Sequence, residues 1–150
     1  MTSNLSIKSL LLSLTIFGFL LAIVTAFKTN EVVTREQAII LSEQFIINNG
    51  YTSLPADTSK LSYELFDAYN ESINSMLKER HNMLHPKAFC ISEDEDRWDV
   101  GFLSTSINVN KLDSISRQTN LSGRAVIVYK NGKEIRIAHK DPLFSLFEKL

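Results

Sequence analysis

An uncharged run at residues 9–27, Ser-Leu-Leu-Leu-Ser-Leu-Thr-Ile-Phe-Gly-Phe-Leu-Leu-Ala-Ile-Val-Thr-Ala-Phe, sets the narrowest limits on what this chain can become. Lys8 precedes it and Lys28 follows it. In a soluble domain such a segment would be a helix apolar on every side, and the remainder of a 150-residue chain is too short to bury it. A continuous uncharged stretch of this kind is the signature of a membrane segment. Two forms fit. A cleaved signal peptide needs a basic start, an apolar stretch of about 7–15 residues and small residues before the cut. Val24-Thr25-Ala26 supplies that last element. An uncleaved anchor needs roughly 17–25 apolar residues, and the run sits at the lower edge of that range. Lys8 and the α-amine oppose Lys28 and Arg35 across the span, which leaves the positive-inside rule little to act on. The expectation is a signal peptide or membrane anchor over residues 1–27. A single α+β domain over 28–150 would follow it in the cell envelope, either exported or anchored and facing the periplasm.

Beyond the leader, 15 basic and 17 acidic residues leave a net charge of −2. With no basic cluster visible, nothing provides the phosphate-neutralising surface that nucleic-acid binding requires, so no nucleic acid is expected as a partner. Cys90 is the only cysteine, which rules out an intramolecular disulfide. Its neighbours Phe89 and Ile91 mark it as a small core residue rather than a reactive thiol.

The domain opens with Thr34-Arg35-Glu36-Gln37, a capping box preceded by Val33 and followed by Ala38 at hydrophobic-staple spacing. Ala38, Leu41 and Phe45 recur at spacings of three and four. Ile39, Ile40, Ile46 and Ile47 broaden that face, and Asn48-Asn49-Gly50 supplies a left-handed stop. Residues 51–60 read as an ordered surface loop. A second apolar stripe, Leu65, Phe66, Tyr69, Ile73, Met76, Leu77 and Leu84, predicts a helix over 63–84, ended by Pro86. Thereafter the period changes to two. Phe89 and Ile91, then Trp98, Val100 and Phe102, alternate with polar residues around an exposed acidic turn, Glu93-Asp94-Glu95-Asp96. Residues 104–122 are polar and weakly patterned, the end of a strand and a connection. Residues 124–129 and 133–138 flank Asn131-Gly132, the pair suited to a type I′ hairpin. The tail, 142–150, reads as a short amphipathic helix docking on the sheet. Helices first and antiparallel strands afterwards give an α+β fold, with a long helix packed on a curved antiparallel sheet.

A Thr-x-x-x-Ala-Ile helix after an export leader, then Trp98-Asp99-Val100-Gly101-Phe102, Gly123-Arg124-Ala125-Val126-Ile127-Val128 and an Asn-Gly-Lys hairpin together resemble small bacterial proteins of the cystatin-like, nuclear-transport-factor-two-like superfold. Within it the chain is most similar to a group of immunity proteins, which neutralise toxins used in competition between bacteria. The resemblance covers most of residues 34–139. The 104–122 connection and the C-terminal tail depart from the compact pattern of the group. It implies a protein partner, a toxin or an envelope protein, and a binding rather than catalytic role.

Several constellations compete with blander readings. His81 and His85 lie four apart on the predicted helix and could face one metal ion. No glutamate follows His81 in the metalloprotease arrangement, and a third ligand would have to be Cys90 or a distant carboxylate, so two solvated histidines are preferred and neither metal nor cofactor is expected. Arg97 and Trp98 are residue types that anchor interfaces, although the alternation of Trp98 with Val100 and Phe102 favours a place in the core. Arg124, Arg136, His139, Lys140 and Asp141 cluster around the hairpin, where Arg124 and Arg136 could be neighbours, as a ligand-facing patch or, the preferred reading, as charged cross-strand pairs. Candidate binding residues are therefore Arg97, Trp98, Arg124, Arg136 and His139. No phosphate loop, nucleophile elbow or paired-cysteine motif is present, so no catalytic residue is assigned. The leading expectation is a non-enzymatic envelope binding protein, an immunity protein in its specific form. The alternative is a small enzyme or ligand carrier of the same fold, using His81 or His139 with Asp99 or Asp141 in a conical pocket.

Overall fold

The capping box at Thr34 forms as its spacing predicts and opens α1 (Arg35–Asn48). The Gln37 amide donates to Thr34 Oγ1 at 3.3 Å, and the Thr34 amide donates to Gln37 Oε1 at 2.9 Å, so two donors at the helix start are satisfied reciprocally. Val33 and Ala38 are both buried beside this cap. At the other end Asn49 caps the helix, its side-chain amide donating to the Phe45 carbonyl at 2.9 Å, and Gly50 turns the chain away at φ +79°. Ala38, Ser42 and Ile46 form the buried stripe, with Ile39, Leu41 and Phe45 packed partly against the core. Ile40 points outward.

The computed structural model describes residues 32–63, 72–109, 121–138, 140 and 142–150, all within the compact unit Val32–Leu150. The apolar run at 9–27, with the membrane role read from it, lies outside the described residues. Among the described residues no helix is long and apolar enough to cross a membrane.

The second helix, α2 (Ile73–Arg80), begins at the Ser72 cap and stops short of the Leu84 expected from its apolar stripe; residues 64–71 lie outside the described residues. The cause of the early stop is tertiary. Arg80 turns inward, donating to the Asn49 carbonyl at 3.2 Å and the Ser62 carbonyl at 2.9 Å, with its guanidinium 4.7 Å over the Tyr51 ring. Asn82 then adopts φ 58°, and the Leu84 amide donates to the Tyr51 carbonyl at 2.9 Å. Leu84 is a core residue, as its pattern suggested, but extended backbone delivers it.

Five antiparallel strands follow: β1 (Cys90–Glu93), β2 (Arg97–Leu103), β3 (Gly123–Tyr129), β4 (Ile135–Ile137) and β5 (Glu148–Lys149), in the order β4-β3-β2-β1-β5. The α+β class and the acidic β1–β2 turn agree with the sequence reading. The inner face carries Ile91, Trp98, Val100, Phe102, Val126, Val128 and Ile137, and α1 packs on it over β2 and β3. Trp98 ties the two layers together by donating from Nε1 to the Val33 carbonyl at 2.9 Å.

The β3–β4 hairpin forms, but its turn is not the two-residue type I′ expected from Asn131-Gly132. That turn needs positive φ at both residues, and only Gly132 has it, at 68°. The loop spans 130–133, closed by the Tyr129 amide donating to the Glu134 carbonyl at 3.1 Å. Lys130 is drawn out of the ladder because its amide donates to the Asp96 carbonyl at 2.9 Å and its carbonyl accepts from the Val33 amide at 2.8 Å. The hairpin loop thereby pins the start of α1 to the β1–β2 turn.

The tail also differs from expectation. In place of an amphipathic helix it forms a single 3₁₀ turn, Phe144–Leu146, and the two-residue strand β5 beside β1. Phe144 seats its ring on glycines: a Cβ on Gly101 would lie 2.8 Å from Phe144 Cε1, and one on Gly123 2.8 Å from Phe144 Cζ. Cys90, Leu103 and Phe144 make a second, smaller core on the outer face, edged by Phe89, Ile107, Leu121 and Phe147.

Candidate functional site

Strand alternation places Arg97, Asp99, Ile127 and Tyr129 on the face opposite α1, because Trp98, Val100, Val126 and Val128 between them point inward. The ladder register sets them side by side: Arg97 opposite Tyr129, Asp99 between Ser92 and Ile127, and Ile127 opposite Arg136. This is the part of the outer face beyond Phe144. It carries a polar cluster held on β2, β3 and the edge strand β4.

Arg97 spans two carboxylates, with Nη2 3.0 Å from Asp94 Oδ2 and Nε 3.3 Å from Asp99 Oδ1. The second pair is close but misaligned, so Asp99 Oδ1 is buried next to a cation without a well-formed hydrogen bond. Burial pushes the Asp99 carboxyl above the usual carboxylate range, and the positive Arg97 opposes that shift only in part. Arg136 reaches Glu134 at 3.5 Å and donates to the Tyr129 hydroxyl at 3.4 Å. About a third of each of the Arg97 and Arg136 side chains stays exposed, 34% and 38% respectively, so both guanidiniums remain within reach of a partner.

The candidate residues read from sequence are distributed over the domain. Arg97 and Arg136 share the outer face. Trp98 lies on the inner face with 9% of its surface exposed, and Lys130 Nζ sits 5.0 Å over its ring. Arg124 also lies on the inner-face side of β3, opposite Phe102, and donates to the Gly123 carbonyl at 3.0 Å. Arg124 and Arg136 are not cross-strand neighbours, since Arg136 pairs with Ile127 and Arg124 stands three residues further along β3. His139 and Asp141 lie outside the described residues. Asp99 and Tyr129 complete the cluster; the sequence reading offered Asp99 only as a pocket residue of the alternative function and did not single out Tyr129. Alternation with Trp98 would have put Asp99 beside Arg97, whereas the approach of Tyr129 needs the β2–β3 register.

The two-histidine reading loses its geometry, because α2 ends at Arg80 and the two rings no longer share a helix face. His81 is exposed, and His85 Nε2 lies 2.9 Å from the Ile107 carbonyl. Cys90 is buried and its thiol is pushed up to about 12 by desolvation, which leaves it a poor ligand and nucleophile. Among the described residues no group of three potential ligands gathers for a metal ion. Among the described residues the side chains packed between α1 and the sheet are mainly apolar, and Asp99 lies on the opposite face of β2. A cleft of about 440 Å³ lies elsewhere, lined by His85, Pro86, Ala88, Phe89, Leu103 and Val109 with Lys87 and Lys149. No protein-family model, no curated protein and no solved structure matches this chain.

Proposed function

We propose that this chain is a non-enzymatic binding protein of the cell envelope, meeting a protein partner through the part of its outer sheet face that the described residues leave uncovered. The observation that carries the reading is the cluster of Arg97, Asp99, Tyr129 and Arg136, held in register on β2, β3 and β4 and part-exposed. Arginine and tyrosine are the side chains that most often dominate interface energetics, and rigid strands hold them with little entropy left to lose on binding. The acidic turn at 93–96 borders the cluster and adds negative charge beside the two guanidiniums. A basic partner surface with an acidic recess complements that pattern. The envelope setting rests on the uncharged run at 9–27, and the narrower identity, an immunity protein that neutralises a bacterial toxin, rests on the sequence resemblance.

The test is co-expression with the product of the adjacent gene, followed by capture of the full chain and a host-protection assay. Capture and protection by the parent chain, both lost in the Arg97→Ala, Arg136→Ala double variant with its melting temperature unchanged, support the reading. Undiminished capture and protection by that variant would move the interface off this face. Absence of any captured protein from the native host would overturn the binding role itself.

A further inference from the structure

We propose that the cleft beside β1, lined by His85, Phe89, Leu103, Val109 and Lys149, binds a small apolar carboxylate. This goes beyond the protein-binding role, and the cleft shares no residue with the Arg97–Asp99–Tyr129–Arg136 cluster. At about 440 Å³ it falls within the span of roughly 300–1,000 Å³ typical of small-molecule sites. Its walls are predominantly hydrocarbon, from Pro86, Ala88, Phe89, Leu103 and Val109. Three polar groups stand at them, and their states specify the ligand.

Lys87 is already neutralised by Glu43 at 2.8 Å. Lys149 is not: its ammonium lies 5.9 Å over the Phe89 ring, and no carboxylate pairs with it among the described residues. His85 is held by Nε2, 2.9 Å from the Ile107 carbonyl. Since a carbonyl can only accept, Nε2 carries the hydrogen, and Nδ1 makes no hydrogen bond among the described residues. Among the described residues the site thus offers one cation without a carboxylate partner and an apolar wall carrying an aromatic ring, with His85 Nδ1, an acceptor in the neutral ring, as a nearby reporter and not a donor to the anion. A cationic ligand would meet Lys149 unfavourably, and a neutral hydrocarbon would leave the ammonium unanswered. A lone anion gains little from an exposed lysine in water, so the carboxylate and the apolar body are both required.

The experiment uses the full chain in lipid nanodiscs with isotope-labelled histidine, which gives only three imidazole signals. Phenylacetate is the probe, and phenylacetamide and acetate are its neutral and apolar-free counterparts. A saturable shift of the His85 signal with phenylacetate alone is expected. That signal is identified by its disappearance in His85→Gln. Lys149→Met keeps the side-chain stem and removes the charge, and it is expected to raise the half-saturation concentration about threefold, as loss of an exposed ion pair does. The proposal is overturned by a non-saturable response, by equal response to phenylacetamide, or by unchanged affinity in Lys149→Met. Retained protection in the immunity assay alongside any of these outcomes separates this failure from failure of the protein-binding role.

Discussion

The two faces of the sheet are built from the same strands and do opposite work. Towards α1, Val100, Phe102, Val126 and Val128 are fully buried among apolar neighbours. On the far side, among the described residues, Phe144 covers the end nearest Gly101 and Gly123, while the other end keeps Arg97, Asp99, Tyr129 and Arg136 partly exposed. Among the described residues a helix fourteen residues long packs on one face, and a three-residue turn with Phe89, Ile107, Leu121 and Phe147 around it packs on part of the other. Apolar burial, and the stability it supplies, is therefore concentrated on the inner face. That asymmetry is what makes the outer face the better place to look for function.

Chemical denaturation can break this contrast directly. Phe102→Ala, at the centre of the inner face, is expected to cost about 3–5 kcal/mol from lost transfer and cavity formation. Phe144→Ala, at a rim covered by one turn, is expected to cost less, about 1.5–3 kcal/mol, with β5 fraying before the rest of the sheet in hydrogen exchange. Equal costs would show that the tail is an integral layer rather than a local cover. Ser42→Ala should move stability the other way, by about 1 kcal/mol, because the Ser42 hydroxyl is fully buried on α1 without a hydrogen-bond partner among the described residues. A destabilised Ser42→Ala would show that the hydroxyl is satisfied in solution.

Smaller effects sharpen the outer face. Asp99 holds its proton more tightly in the fold than in the unfolded chain, so as pH rises from about 4 the native state binds the excess of protons and stability falls until the raised pKa is passed. Asp99→Asn does not titrate. Its stability relative to the parent should therefore climb through that window and then level off, and a difference independent of pH would show that Arg97 compensates the burial completely. Arg97→Ala and Arg136→Ala should each change stability by no more than about 0.5 kcal/mol, since both are part-exposed ion-pair members. A larger loss from either would mean that the cluster supports the sheet and is not reserved for a partner.

Legibility in the sequence followed the range of the interaction. The Thr34 cap, the Gly50 stop and the alternation of Trp98, Val100 and Phe102 each depend on residues a few positions apart, and all appear in the structure. The errors arose where distant chain intervened. Leu84 fits a helical stripe, but Tyr51 takes its amide into an extended segment. Asn131-Gly132 favours a tight turn, but Val33 and Asp96 claim Lys130 and open the loop. Of the candidate site, Arg97 was readable as an interface residue type and the core place of Trp98 from its alternation, whereas the shared face of Arg97 and Arg136, and the placing of Arg124 on the other side, depended on strand register.

The sequence by itself determined the elements whose causes are local: a capped amphipathic helix, period-two strands, an acidic turn, and an apolar run charged only at its flanks. Tertiary structure decided which of those elements meet. It buried Arg80 to end a helix, set Phe144 on two glycines to close half a face, and aligned Arg97 with Tyr129 and Arg136 with Ile127. The division has a simple physical origin. Capping and periodicity are fixed by backbone geometry over one or two turns, while register and burial depend on what packs opposite, which the order of residues along the chain does not state.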